Sequence, residues 1–280
     1  MSGILITGGT GFLGHGLVPQ LLEDGCERIC IYSRGEHTQA RMRAVFNDDT
    51  RLRWFIGDVR DRERLTMAME GVDTVIHAAA LKRIEVGAYN PEEMAKTNVD
   101  GAINVIAAAR TCRVGKVVLI SSDKAFEPVS PYGYTKALAE SLFLTANTVT
   151  PTGPRFAVCR YGNVAGSTGS VIEIWREQMA RGDALTITDP EATRFWMSRR
   201  EAVEFVLEAV EHMHGGEIFI PSLPAFRVGD LAKVLGNGSR IERIGLGKYE
   251  KRHEGMDHDH RSDQARRMSM AELKVELATL

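Results

Sequence analysis

A short apolar run, Gly3-Ile4-Leu5-Ile6-Thr7, leads directly into Gly8-Gly9-Thr10-Gly11-Phe12-Leu13-Gly14, and a helical pattern follows to about Asp24. The glycines at 8, 11 and 14 have a G-x-x-G-x-x-G spacing, a variant of the dinucleotide fingerprint. Gly8 allows a tight turn after the strand, and Gly11 lets the backbone approach a pyrophosphate. Gly14 permits close packing of the helix, whose N-terminus faces the negative charge. A glycine motif alone is weak. Placed between a strand and a helix, this one predicts an open α/β sheet with a dinucleotide at the strand ends.

The chain keeps that rhythm. Arg28 to Tyr32 predicts a second strand ending in Ser33-Arg34, where a free ribose hydroxyl would usually meet a carboxylate. Arg34 with Ser33 instead supplies the cation that a 2′-phosphate needs, which favours NADP over NAD. Leu52 to Ile56 predicts a third strand, with Asp58 beyond it placed to meet an adenine ring. A helix from Asp61 to Met69 and a strand from Asp73 to His77 follow, and the small residues Ala78, Ala79 and Ala80 let backbone pass close to the cofactor. One long helix is predicted within Pro91 to Arg110. The alternation points to a Rossmann-type doubly wound parallel sheet in residues 1–160. Residues 161–280 form a smaller C-terminal substrate-binding lobe, partly interleaved with the sheet. It holds helices to about Arg181 and from Ser198 to Met213, a strand from Glu217 to Ile220, and 55 terminal residues of weaker pattern.

Val117-Val118-Leu119-Ile120 reads as a buried strand that ends in Ser121-Ser122-Asp123-Lys124. Open α/β sheets place ligands at that end of a strand. Ser130-Pro131 looks like an N-cap and first helical position, which puts Tyr132 and Lys136 one turn apart on one helix face. Tyr134 points elsewhere. An ammonium beside Tyr132 should draw its phenol toward ionisation near working pH.

Net charge is −2 and composition is ordinary, so nothing argues for nucleic acid or an anionic membrane as partner. No apolar stretch approaches the roughly 18 residues that a spanning helix needs, and the N-terminus is already strand and glycine loop. A cytoplasmic protein is expected. Cys26, Cys30, Cys112 and Cys159 read as free thiols rather than disulfides or zinc ligands. His258 and His260, in the charged piece from Glu250 to Arg261, read as part of a solvated tail.

With these residues assembled, the chain resembles the extended short-chain dehydrogenase/reductase superfamily, and within it the inverting UDP-N-acetylglucosamine 4,6-dehydratases. The likeness rests on Gly8 to Gly14, Tyr32 to Arg34, Gly57 to Arg60, His77 to Lys82, Lys96 to Asn98, Ser122 to Ala125 and Tyr132 to Lys136. It continues through Arg160 to Val164, Gly166 to Ile172, Thr193 to Trp196 and Gly216 to Pro221. Asp-Lys after the strand separates this pattern from epimerases, which carry small hydroxylated residues there, and from retaining dehydratases, which carry Asp-Glu. There are three departures. Ser122 replaces the usual Thr, Thr168 stands where Arg is usual, and a shorter C-terminus keeps only part of a Pro-Gly-Glu-Lys-x-His-Glu motif in Gly247 to Glu254.

The resemblance implies a cofactor held by Gly8, Thr10, Gly11, Phe12, Leu13, Gly14, Ser33, Arg34, Asp58, Val59 and Ala78 to Ala80. Lys82, Asn98, Ser121, Ser122, Tyr132 and Lys136 complete that set. Lys82, Asn163, Ser170, Val171 and Arg194 would hold the UDP-sugar, with Arg160 nearby and Arg194 the best candidate for its diphosphate. Tyr132 would take the C4 hydroxyl proton during oxidation. Lys124, if its ammonium value is lowered, suits the base at C5, and a protonated Asp123 suits the acid at C6. Inversion at C5 follows from the resemblance. A homo-oligomer is expected through the helices near 91–110 and 131–146, using Ala102, Ile103, Ile106, Ala137, Leu138 and Leu142. The rival readings are a nucleotide-sugar 4-epimerase or reductase on the same fold, and a non-catalytic NADP-binding Rossmann protein.

Overall fold

The computed structural model describes residues 3–149 and 152–280. Strands β1 (Ile4–Thr7), β2 (Ile29–Ser33), β3 (Leu52–Ile56), β4 (Thr74–His77), β5 (Lys116–Ile120) and β6 (Arg155–Cys159) fall where the apolar runs predict them. Among the described residues they form a parallel sheet in the order β3-β2-β1-β4-β5-β6, with one further short strand at the far edge. The order reverses direction between β1 and β4, so the loops after these two strands diverge and leave a crevice at their carboxyl ends.

The pleat decides which layer each residue enters. Ile4 and Ile6 face α1 (Gly14–Glu23), with Leu17 and Leu21 against them, whereas Leu5 faces the opposite layer. Helix α2 (Glu36–Val45), largely exposed, follows β2 and reaches the first layer through Met42; the periodicity did not signal it. The other layer holds α3 (Arg62–Met69) and the 84–112 region. There a short α4 (Ile84–Tyr89) precedes the predicted long helix, which runs unbroken as α5 (Pro91–Ala95) and α6 (Gly101–Cys112). A π-helical turn at Lys96–Asp100 joins the last two, and such turns occur mostly as local bulges that re-aim side chains. Helix α7 (Pro131–Val149) starts as predicted: Gly133 N donates to Ser130 Oγ at 3.1 Å, and proline occupies the first turn.

Beyond residue 160 come α8 (Val171–Arg181), the strands β7 (Leu185–Ile187) and β8 (Thr193–Phe195), and α9 (Arg199–His212). The edge strand of the large sheet is β9 (Ile218–Phe219), which pairs in parallel with β6. Thus β9 returns to the first sheet, and α9 returns to the α1 layer, burying Val203, Val206 and Val210. A third core forms in the C-terminal region from Trp175, Leu185, Phe226, Leu231 and Leu273. It is enclosed by β10 (Ala225–Arg227), α10 (Val228–Gly236), β11 (Ile241–Arg243) and α11 (Met270–Leu277).

Of the two histidines read as solvated, His258 is exposed and His260 partly buried against Asp257, whereas the residues just before them are packed. Glu254, Gly255 and Met256 are buried, and His258, though exposed, lies edge-on to Phe126 at 5.1 Å. The oligomer surface also changes: Ala102 and Ile106 are buried in this chain's own core and cannot face a partner. Ile103, Leu138 and Tyr134 remain exposed there. The four cysteines are free thiols, with Cys112 half-buried and the rest buried.

Candidate active site

The loops after β1, β4, β5 and β6 open onto a cavity of about 1200 Å³. Its first wall is the glycine loop. Gly8 has φ +68°, and a Cβ there would come within 2.9 Å of the Ala79 backbone. Any side chain would therefore push the β1 and β4 loops apart. At Gly14 a Cβ would meet the Gly9 carbonyl oxygen at 2.0 Å, so Gly14 lies beneath the loop and permits its fold. Thr10, Gly11, Phe12 and Leu13 line the cavity, as do Ser33, Arg34, Asp58, Val59 and Ala78 to Ala80.

Two supports for this wall were not singled out from the sequence. Thr7 Oγ1 is hydrogen-bonded to His77 Nδ1 at 2.7 Å and accepts from Ala79 N at 3.2 Å, tying the ends of β1 and β4 together. Burial, with the nearby Lys136 charge, lowers His77 to about 3 and keeps it neutral. Asn98, expected at the cofactor, instead stands behind the wall. It accepts from Leu81 N at 2.8 Å and donates to Leu81 O and Thr135 Oγ1, so the π-helical turn pins the loop that carries Lys82. Lys82 itself faces the cavity, and burial lowers its ammonium value against the opposing charge of Glu173.

Tyr132, Lys136, Ser121, Ser122, Asp123 and Lys124 all reach the same cavity. Their electrostatics differ from expectation. Burial raises the Tyr132 phenol above its usual value; Lys124 and a hydrogen bond with Ser122 oppose that rise and do not overcome it. Lys136 donates to Ile120 O at 2.6 Å, and burial lowers its own value to about 8 against the charge of Glu140. Proximity along the helix was the basis for pairing it with Tyr132, but the β5 carbonyl takes its hydrogen bond instead.

Lys124 moves opposite to the expected direction. Burial would lower its ammonium value, but Asp123 and then Glu254 outweigh burial and hold it well above the ordinary range. Lys124 Nζ lies 3.0 Å from Asp123 Oδ1 and 3.6 Å from Glu254 Oε1. Ser122 Oγ also donates to Asp123 Oδ1 at 2.8 Å, whereas Asp123 Oδ2 is buried and makes no hydrogen bond. Glu254 reaches this site from the C-terminal segment, about 130 residues away in sequence. The partial match at Gly247 to Glu254 was the one signal that pointed to it.

On the far wall, Asn163, Ser170, Val171 and Arg194 line the cavity. Ser170 Oγ is buried and unbonded at the N-terminus of α8. Arg194 Nη1 donates to Thr193 O and Arg252 O, which fixes the guanidinium at the rim. Arg160 is not available to a ligand: it forms a buried ion pair with Glu140, and Nη1 donates to Met256 O. Thr168 stands on the cavity wall without the reach of an arginine.

Comparison with known proteins matches this arrangement to a family. The family model described as polysaccharide biosynthesis protein matches residues 4–274. A UDP-N-acetylglucosamine 4,6-dehydratase (inverting) from Campylobacter jejuni is 48% identical over 256 residues, covering 90% of this chain and 76% of the relative. A protein named UDP-glucose 4-epimerase from Rickettsia conorii is 41% identical over 262 residues, with the same coverage. The X-ray structure of Pen from Bacillus thuringiensis superposes with TM-score 0.95 at 33% identity, covering 100% of this chain and 98% of that one. The chain belongs to the polysaccharide biosynthesis protein family.

Proposed function

We propose that the chain is a nucleotide-sugar 4,6-dehydratase acting on UDP-N-acetylglucosamine, in the cytoplasm and as a homo-oligomer. The observation that carries this reading is the convergence of Tyr132, Asp123 and Lys124 on the cavity that begins at the glycine loop. The 48% identity to a relative of that named activity supports it.

The residues present fit a dinucleotide, because the Gly8 turn leaves a cradle that a single Cβ would fill. The loop 8–14, Asp58, Val59 and Ala78 to Ala80 would hold it. Arg34, more than half exposed and 3.8 Å from Asp58, favours a 2′-phosphate and hence NADP. Calorimetry tests this: NADP should bind more tightly than NAD, and Arg34→Asp should reverse the order. Equal affinities in the wild type would remove the claim. Arg194, Lys82, Asn163 and the N-terminus of α8 at Ser170 and Val171 would hold the UDP diphosphate and sugar.

A bound nicotinamide supplies the hydride acceptor for C4 of the sugar and the hydride donor for C6. Tyr132, once ionised, takes the C4 hydroxyl proton; Lys124 and Ser122 reduce the cost of that ionisation without cancelling burial. The C4 ketone acidifies the C5 proton. Asp123 and Lys124 together hold the one proton that elimination requires. Its transfer along their 3.0 Å contact converts ammonium and carboxylate into amine and carboxylic acid. The Lys124 amine then takes the C5 proton, while Asp123 protonates the departing C6 hydroxyl, which leaves as water. Both groups finish in the forms from which they began. Solvent would then protonate C5 from the other face and invert it, while Tyr132 returns the C4 hydroxyl proton to solvent.

Mass analysis of the product from UDP-N-acetylglucosamine in deuterated water tests the reading. The expected product has lost water and gained deuterium at C5. The relative named UDP-glucose 4-epimerase favours a second reading, 4-epimerisation on the same site. A product of unchanged formula would establish that reading instead.

A further inference from the structure

Glu254 is a buried carboxylate that the mechanism above does not use. It is 3% exposed, and Oε2 makes no hydrogen bond. Three cations surround it: Lys124 at 3.6 Å, Lys251 at 3.4 Å and Arg194 at 4.0 Å. These distances are too long for good hydrogen bonds, so Glu254 acts on its neighbours through its field. In a partly buried site a unit charge at such range is weakly screened.

The segment bearing Glu254 is fastened at several points to the turn that bears Asp123 and Lys124 and to the end of β6. Lys251 Nζ donates to Phe126 O at 2.8 Å, Arg160 Nη1 donates to Met256 O at 2.5 Å, and Arg261 pairs with Glu127 at 3.4 Å. Ser262 Oγ accepts from Glu254 N at 2.8 Å and is itself bonded to Thr193. This bracing fixes the carboxylate at a set distance from Lys124.

We propose that Glu254 is a positioning residue for the elimination, holding the shared proton on Lys124 and setting how readily it passes to Asp123. The consequence for turnover rests on the dehydratase reading; the effect on Lys124 does not. Lys124 is faced by Asp123 and Tyr132 from the β5 and α7 side, and by Glu254 and Arg194 from the C-terminal region. Removing the Glu254 charge leaves Arg194 and Lys251 without it, so every remaining change favours the neutral amine. Removing Lys251 acts in the opposite sense, because it leaves the Glu254 field less opposed.

Competitive acetylation at one alkaline pH, with each lysine quantified by mass spectrometry, reads the neutral fraction of Lys124 directly. Its side chain retains 21% exposure, enough to be reached through the cavity. Glu254→Gln should raise Lys124 labelling by about tenfold or more relative to surface lysines, the equivalent of one pH unit. Glu254→Asp should restore slow labelling, and Lys251→Met should slow it below wild type. In parallel, the pH at which C5 deuterium uptake rises should move downward in Glu254→Gln.

A merely structural Glu254 would lower the melting temperature and leave labelling in all three variants at the wild-type rate, which would overturn the inference. If Glu254→Gln fails to fold, Lys251→Met decides alone: unchanged or faster labelling refutes. Labelling that shifts as expected in a protein whose wild type exchanges no C5 hydrogen would uphold Glu254 and sink the dehydratase reading. Unshifted labelling beside normal C5 exchange would do the reverse, sinking the role of Glu254 and upholding the dehydratase.

Discussion

Tyr132, Asp123 and Lys124 each handle a different proton of the reaction, and that difference separates their expected failures. Tyr132→Phe removes the proton acceptor for C4 oxidation, so no reduced nicotinamide absorbance should appear when substrate is added. Asp123→Asn leaves oxidation possible and removes the acid that releases water. Dehydration should slow by roughly 10²–10⁴-fold, and reduced cofactor should accumulate in rapid-mixing absorbance. Normal turnover by a folded Asp123→Asn protein would refute the division of roles. Lys136 carries a stability consequence. Burial lowers its value from 10.5 to about 8, so its charge opposes folding most strongly below pH 8. Between about 8 and 10.5 the unfolded chain binds the extra proton, and stability rises with pH. The penalty at neutral pH corresponds to about 3 kcal/mol. Lys136→Met should therefore melt higher than wild type near neutrality, an advantage that fades above pH 10.5. Parallel melting curves across that range check the sign.

The elements with the clearest functional bearing are those whose ends meet at the crevice. Apolar runs made β1 to β6 legible, because a strand buried on both faces needs continuous apolar residues. The 91–112 helix is one unbroken run, as its pattern predicts, but the π-helical turn within it leaves no mark in hydrophobic periodicity. Its effect is on Asn98, whose amide holds both backbone groups of Leu81. Asn98→Ala leaves those groups unpaired, which should cost about 1–3 kcal/mol and loosen the loop of Lys82. Substrate KM should rise while residual activity persists. A variant with unchanged KM and melting temperature would show that the loop holds without Asn98. Helix α10, the short strands β7, β8, β10 and β11 and the terminal α11 escaped notice for another reason. Each is short: α10, α11, β7 and β10 take their regularity from the third core, and β8 and β11 from pairing with β10 and β7.

At the scale of the whole molecule, Val86, Tyr89, Ile103, Tyr134 and Leu138 are exposed on α4, α6 and α7, an apolar area that water disfavours. This is where the proposed homo-oligomer would join. Leu138 is 49% exposed on α7, so its replacement removes little buried packing. Leu138→Glu should convert the assembly to monomers by light scattering with little change in melting of the monomeric fold. A monomer mass for the wild type at micromolar concentration would refute the oligomer.

The glycine spacing, the strand alternation and the Ser130-Pro131 helix start determined the doubly wound sheet and the crevice, because local geometry and strand burial are written residue by residue. They also brought Tyr132, Asp123 and Lys124 to one end of the sheet. The charge state of that cluster was decided elsewhere. Lys136 turns to the Ile120 carbonyl, Arg160 turns inward to Glu140, and Glu254 arrives beside Lys124 from a segment that reads locally as a solvated tail. Electrostatic fields depend on distance through space and on burial, neither of which the order of residues along the chain expresses, so only the tertiary structure determined them.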